Sequence, residues 1–176
     1  IITEKPTACQ KISSILSQKK HKKLQKKGSK VVFYESVING ERVIVVSGIG
    51  HLFQATRKNK DKSNPWQYPF WEVTWAPSHE LKRSLKRNED FVNFIKELAK
   101  DADTFINACD YDIEGSTIGY CILKYCCPPG AVEKAKRMKF SSMTEKEILN
   151  SFNNLLPSLN FELVEAGLTR HEVDLL

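Results

Sequence analysis

The sequence predicts an α/β fold with a mainly parallel sheet flanked by helices and with a β-hairpin inserted in it. Three patterns support this prediction. An apolar run at 105–109 is typical of a strand buried on both faces, and an acidic turn and a helical apolar pattern follow it. A similar strand, turn and helix open the chain. Two β-rich runs at 31–47 flank an Asn-Gly pair, which is typical of a hairpin.

The first unit of the chain is predicted to be a short strand that leads into a helix starting near Pro6. If this strand lies beside the run at 105–109 in a parallel sheet, Glu4 and Lys5 emerge at the same sheet edge as Asp110. A carboxylate and an ammonium near a metal suit acid–base chemistry on a phosphodiester. A plain surface pair of Glu4 with Lys5 is the alternative.

The next segment, at 19–30, carries seven lysines and is predicted to be a solvated loop or helix end. The hairpin follows, and its second strand leads into a glycine turn that presents His51. A basic loop is predicted at 57–65. The prolines and aromatic residues at 65–77 favour a connecting segment that packs over the sheet, rather than a surface that stacks bases.

The remaining elements follow from helical spacing and from helix-terminating residues. A helix is predicted at 89–100, before the apolar strand at 105–109. Two prolines and a glycine end the helix that starts near Ile113. A further strand is predicted at 136–140. Thr144 then opens a capping box with a glutamate three residues later, and a last helix is predicted from position 161.

The acidic turn carries Asp110, Asp112 and Glu114, three carboxylates in five positions. These charges repel one another unless a cation or solvent compensates them, and Mg²⁺ is usually held by one or two carboxylates together with waters and phosphate oxygens. Gly115 allows a close backbone approach at the helix entry. The same acids also suit a helix N-terminus without any metal, because the helix dipole favours negative charge there.

Composition adds a preference for an anionic partner. The chain has 176 residues, 27 Lys and Arg, 21 Asp and Glu, and a net charge of +6, which favours nucleic acid. The five cysteines lack zinc-site spacing and are predicted to be reduced packing residues. With no long apolar run and no signal peptide, we predict no membrane contact and a cytoplasmic, nucleoid-associated protein. The start without Met predicts a fragment of a longer protein.

Five segments together resemble one enzyme family. In chain order they are IITEKP, SGIGHL, ACDYDIEG, RMKFSSMT and TRHEVD. The third is similar to the acidic motif of the Rossmann-like Toprim fold, and the whole series resembles the N-terminal Toprim domain of type IA DNA topoisomerases, with the archaeal branch as the nearest match. The resemblance implies a Toprim domain at 1–150 and the start of a further helical topoisomerase domain at 151–176.

The resemblance also implies roles for individual residues. Enzymes of this family cleave one DNA strand with a tyrosine, pass another strand and reseal the first, which relaxes negative supercoils. By this resemblance Glu4 assists proton transfer and Lys5 lies near the scissile phosphate. Asp110 and Asp112, with Glu114 and Glu4 nearby, would hold Mg²⁺.

The DNA contacts implied by the resemblance involve Arg170 and the loop of His51, with a single-stranded DNA segment as the partner. None of the five tyrosines lies in the motif of the nucleophile, so the isolated fragment is expected to be inactive and to need the remaining topoisomerase domains. Two alternatives stay open: a metal-dependent Toprim protein of the primase or nuclease type, and a non-catalytic DNA-binding module.

Overall fold

The structure, a computed structural model, describes residues 1–58 and 72–175. Its eight described strands form a six-stranded sheet and a separate two-stranded sheet. The strands are β1 (Ile2–Thr3), β2 (Lys22–Gln25), β3 (Val32–Ile38), β4 (Glu41–Ser47), β5 (Phe53–Arg57), β6 (Val73–Pro77), β7 (Ile106–Asn107) and β8 (Lys136–Arg137).

The described helices connect these strands and cover the large sheet. They are α1 (Pro6–Leu16), α2 (Ser78–Leu81), α3 (Asn88–Ala99), α4 (Ile113–Cys126), α5 (Ala131–Lys134), α6 (Glu145–Asn153) and α7 (Phe161–Val173), and a short 3₁₀ turn spans Arg83–Leu85. The helices predicted near Pro6, at 89–100, near Ile113, after Thr144 and from position 161 are therefore confirmed. In the described part of the chain, no helix combines the length and the apolar character needed to cross a bilayer.

The large sheet has the strand order β2-β3-β4-β1-β7-β8. β1 pairs in parallel with both β4 and β7, and β7 pairs in parallel with β8. The first strand thus lies beside the strand of the acidic turn, with Ile2 opposite Asn107, and this meets the condition under which Glu4 and Lys5 were expected at the edge of Asp110. The predicted α/β fold class is confirmed, because a mostly parallel core carries helices on both faces.

The predicted hairpin is confirmed as β3 and β4, which extend the parallel core through the pairing of β4 with β1. Its turn uses Asn39 at φ +52° and Gly40 at φ +83°, the left-handed values that a tight hairpin turn needs. The prediction of a loop or helix end at 19–30 is wrong in part, because β2 pairs with β3 inside that segment. Lys22 and Lys23 lie on this edge strand, where charge discourages pairing with another chain.

The second sheet was not predicted. β5 and β6 pair antiparallel, so Arg57 ends a strand rather than opening a loop, and Trp75 lies within β6. The rest of the predicted loop and aromatic segment, including Trp66, Tyr68 and Phe70, lies outside the described residues.

Two apolar cores cover the two faces of the large sheet. Val45 and Val46 belong to different cores, because successive strand residues point to opposite faces. One core joins the sheet to α1 and α6 through Ile12 and Ile148, both fully buried. The other joins it to α3 and α4, with Ile122 also fully buried. A sheet covered on both faces presents its functional groups at the ends of its strands. The candidate site is therefore expected at the edge after β1 and β7.

The five cysteines are unpaired, and all but Cys127 are buried. Burial raises the pKa of each thiol to about 12, so all five stay protonated at neutral pH. The prediction that they are packing residues is confirmed.

Candidate functional site

The acidic turn lies between the end of β7 and the first turn of α4. Asp112 is the N-cap of α4, and its Oδ1 accepts a hydrogen bond of 2.7 Å from the Gly115 N–H. Gly115 packs so closely on the turn that a Cβ there would clash with the backbone carbonyl of Asp110. The capping interpretation of the acids therefore holds for Asp112. It does not account for Asp110, whose side chain is 45% exposed and contacts Lys5.

The buried side chain of Arg137 hydrogen-bonds to the backbone of this turn. The residue is only 1% exposed, and its guanidinium donates four hydrogen bonds of 2.7–3.0 Å to backbone carbonyls. The acceptors are the carbonyls of Asn107, Cys109, Asp110 and Met138. Burial lowers the pKa of Arg137, but from so high a starting value that the group stays charged. Three of the four acceptors lie along the chain that leads out of β7, so Arg137 fixes the path of the acidic turn.

Glu4 and Lys5 meet Asp110 at this edge because β1 and β7 are parallel neighbours. Lys5 Nζ lies 3.0 Å from Glu4 Oε1 and 3.3 Å from Asp110 Oδ2, so one ammonium bridges two carboxylates. Hydrogen bonds to Glu4 and Asp110 raise the pKa of Lys5. The Lys5 side chain is 57% exposed and the Glu4 side chain only 13%. This arrangement leaves a positive charge at the surface with a sheltered carboxylate behind it.

The glycine turn after β4 supports the same edge. The Gly48 N–H donates to the Thr3 carbonyl at 2.9 Å, and the Gly50 N–H donates to the Glu4 carbonyl at 3.3 Å. Gly50 has φ +81°, a left-handed value that favours glycine. These bonds tie the loop that carries His51 to the backbone of Glu4.

Glu114 contacts a different set of side chains. Its Oε2 lies 2.8 Å from His51 Nε2 and 3.0 Å from His171 Nε2, while its Oε1 lies 3.4 Å from a guanidinium nitrogen of Arg170. Burial opposes ionisation of Glu114, but hydrogen bonds from His171 and His51 outweigh it, and the net effect lowers the pKa of Glu114. Burial lowers the pKa of His51 in spite of the neighbouring carboxylate, so its ring is neutral at pH 7.

α7 brings His171 and Arg170 to Glu114 by packing directly on α4. Gly167 makes this approach possible, since a Cβ there would clash with the Thr117 hydroxyl of α4. The indole N–H of Trp75 donates to Glu172 Oε1 at 3.1 Å and ties α7 to β6 as well. The rings of His51 and His171 meet edge to face, with centroids 4.7 Å apart.

The predicted site residues thus fall into two neighbouring groups. The first group is Glu4, Lys5 and Asp110, with Asp112 capping the adjacent helix. In the second group Glu114 contacts His51, Arg170 and His171. Within the described ranges, the only three His, Cys, Asp or Glu side chains with ligand atoms all within 4.8 Å of one another are His51, Glu114 and His171.

Two residues of this region were missed by the reasoning from sequence. Arg137 and His171 both lie in segments quoted above for their resemblance, RMKFSSMT and TRHEVD, yet neither was given a role. A signal for Arg137 was available: an arginine placed at the start of a predicted buried strand must find partners inside the protein. No comparable signal marked His171, because its contacts are with residues 57 and 120 positions earlier in the chain.

Comparisons with known proteins identify the family of this chain. A family model described as "Toprim domain" matches residues 1–143. The chain is 41% identical over 178 aligned residues to DNA topoisomerase 1 of Methanocaldococcus jannaschii, covering 99% of this chain and 21% of that protein. It is 38% identical to DNA topoisomerase 1 of Pyrococcus furiosus, covering 99% of this chain and 16% of the relative. It is also similar to reverse gyrase 1 of Aquifex aeolicus, at 24% identity over 99% of this chain and 14% of that protein.

Proposed function

The chain belongs to the Toprim domain family, and we propose that it is the Toprim part of a type IA DNA topoisomerase of the archaeal type. The full enzyme would cleave and reseal one DNA strand and so relax negative supercoils. The chain spans only 16–21% of the length of the two topoisomerase relatives described above, so the nucleophilic tyrosine is proposed to lie in another part of the protein. The observation that carries the proposal is the meeting of Glu4, Lys5 and Asp110 at one sheet edge.

The proposed roles follow from the exposure and charge of these side chains. Lys5, the exposed cation, binds the scissile phosphate and neutralises part of its charge. Glu4 is sheltered and lies beside Lys5, so it is placed to exchange a proton with the 3′ oxygen of the cleaved strand. The same carboxyl would return to its starting protonation state when the strand is resealed. The surface-pair alternative for Glu4 and Lys5 does not explain why the Lys5 ammonium also contacts Asp110.

A magnesium ion fits the carboxylate oxygens at this edge. Asp110 is half-exposed and offers oxygen to solvent, and Asp112 keeps one oxygen beyond the one that caps α4. Such a partial cage of oxygen ligands is what Mg²⁺ prefers when phosphate and waters complete its shell. When bound, the ion would supply positive charge next to the DNA phosphate. We propose Asp110 and Asp112 as the main ligands, with Glu4 at the edge of the site and Glu114 joining it only on leaving His51 and His171.

The DNA path is proposed to run past Arg170 and the loop of His51. The Arg170 side chain is 62% exposed and is held by Glu114 and more loosely by Asp174, so it can turn to a phosphate at little cost. The substrate would be a single-stranded segment, and the place of action the cytoplasmic nucleoid. We keep the division at 1–150 and 151–176 as a proposal, in which α7 belongs to the start of the following topoisomerase domain.

Magnesium binding by the 176-residue chain is expected to be weak and local to the acidic turn, because DNA phosphate is missing from the shell. Titration with Mg²⁺, followed by amide chemical shifts, should move the signals of 109–115 in the wild type. Asp110→Asn and Asp112→Asn should reduce these shifts strongly, and asparagine at position 112 keeps the helix cap. Asp103→Asn, at an exposed acid before β7, is the matched control. Equal shifts in all four proteins would disprove the proposed ligands.

The 176-residue chain alone is expected neither to nick nor to relax supercoiled plasmid, since the covalent step needs a nucleophile that the proposal places elsewhere. Gel electrophoresis of plasmid after incubation with the chain and Mg²⁺ provides the measurement. Mg²⁺-dependent nicking that disappears in Asp110→Asn would instead favour the nuclease alternative.

A further inference from the structure

The cluster of His51, Glu114 and His171 is not needed for the proposed chemistry at Glu4 and Lys5. Its three side chains come from three separate parts of the fold: the glycine turn after β4, the first turn of α4 and the last turns of α7. Their ligand atoms all lie within 4.8 Å of one another. Both imidazoles direct Nε2 at the same carboxylate oxygen, at 2.8 and 3.0 Å.

We propose that His51, Glu114 and His171 form a second metal site, for a divalent transition ion of the Zn²⁺ class, separate from Asp110 and Asp112, the main ligands proposed for Mg²⁺. The donor set decides the ion class. Two imidazole nitrogens and one carboxylate oxygen are typical ligands of Zn²⁺, whereas Mg²⁺ prefers oxygen ligands and keeps its waters. This inference goes beyond the proposed function and does not depend on it.

The spacing of the donors suits such an ion after a small adjustment. Zinc bonds of about 2.0–2.1 Å in a tetrahedron set neighbouring donors roughly 3.3 Å apart. The two nitrogens lie 2.8 and 3.0 Å from Glu114 Oε2, so each of these nitrogen–oxygen distances would lengthen by about half an ångström or less as the ion replaces the hydrogen bonds. The three side chains are 24–38% exposed, which gives an ion a path to the site and leaves the fourth position to water.

The surroundings hold these ligands in place. Gly167 fixes α7 on α4, and the hydrogen bond of Gly50 to Glu4 fixes the loop of His51. Arg170 lies 3.4 Å from the other oxygen of Glu114, where it orients the carboxylate as an outer partner. A bound ion would therefore tie α7 to the acidic turn, and it would compete with any reach of Glu114 towards Mg²⁺.

The test is titration of the untagged 176-residue chain with Zn²⁺, and with Co²⁺ as a visible probe, at pH 7.5 with excess Mg²⁺. We expect one Zn²⁺ per chain by calorimetry, and with Co²⁺ an absorption band that Zn²⁺ removes and Mg²⁺ does not. His51→Gln, His171→Gln and Glu114→Gln should each weaken Zn²⁺ binding by at least the roughly 10–100-fold that loss of an outer partner costs. Asp110→Asn should bind Zn²⁺ like the wild type, which separates this site from the proposed Mg²⁺ site.

The matched control is His21→Gln, because the chain has four histidines and His21 lies against Tyr34, away from the cluster. It should leave Zn²⁺ binding unchanged. A measurement on the wild type avoids any effect of the variants on folding: Co²⁺ should broaden the ring nitrogen signals of His51 and His171 and spare those of His21 and His79. Three results would overturn the proposal. They are broadening of the His21 or His79 signals instead, wild-type Zn²⁺ affinity in the three cluster variants, and displacement of Co²⁺ by Mg²⁺.

Discussion

Arg137→Met is expected to lower the free energy of unfolding by about 3 kcal/mol. Four backbone carbonyls would lose a charged donor. The Asn107 carbonyl still accepts from the Met138 N–H, and each other buried acceptor left without a partner costs about 1–3 kcal/mol. Methionine offsets part of this loss, because the variant no longer pays the free energy of burying a charged guanidinium. Urea unfolding, followed by circular dichroism, measures the change.

Lys136→Met is the control for this prediction. Lys136 is the exposed neighbour of Arg137 on β8, and its replacement should change the free energy of unfolding by no more than about 0.5 kcal/mol. The amide signals of 108–112 should shift in Arg137→Met and not in the control, because the Arg137 side chain donates to the carbonyls of Cys109 and Asp110. Equal unfolding midpoints in the two variants would show that Arg137 is dispensable to the turn.

The central elements were predictable because each has a strong local pattern. The apolar run at 105–109, the Asn39-Gly40 turn and the helical spacing after Ile113 each determine one element from neighbouring residues alone. The parallel pairing of β1 with β7 was the condition for the site prediction, because it brings the carboxyl ends of both strands to one sheet edge. It was this pairing that allowed Glu4, Lys5 and Asp110 to be predicted as neighbours.

The missed strands lack such patterns. β2 is rich in lysine and is stabilised by backbone hydrogen bonds to β3, which depend little on side-chain polarity at a sheet edge. β5 and β6 are paired across the undescribed range 59–71, so no short turn marks them as a hairpin. Long-range pairing of this kind leaves little trace in the local sequence.

The site itself was predictable only as far as sequence neighbours act together. The sequence places three acids, Asp110, Asp112 and Glu114, in one short group. In the structure each has a different partner: Asp112 caps α4, Asp110 contacts Lys5, and Glu114 contacts two histidines. A spacing of two residues across a turn and a helix start points successive acids in different directions. Only the packing of α7 on α4 supplies the partner His171.

The proton-transfer role proposed for Glu4 rests on its shelter and its neighbours. Its side chain is 13% exposed, and the Lys5 ammonium lies 3.0 Å from its carboxylate. The ammonium also bridges to Asp110, so a phosphate that binds Lys5 arrives next to Glu4. General acid–base catalysis by a group placed in this way contributes about 10²–10⁴-fold to a rate. Glutamine has the same shape as glutamate but cannot exchange the proton.

Glu4→Gln in the full-length protein is therefore expected to slow DNA cleavage and religation by about 10²–10⁴-fold while DNA affinity stays close to that of the wild type. Plasmid relaxation rates and filter binding measure the two quantities separately. Glu41→Gln, at an exposed glutamate where β4 begins, is the matched control and should relax plasmid at the wild-type rate. Wild-type relaxation by Glu4→Gln, or a loss of DNA affinity that accounts for the whole defect, would reduce Glu4 to a surface partner of Lys5.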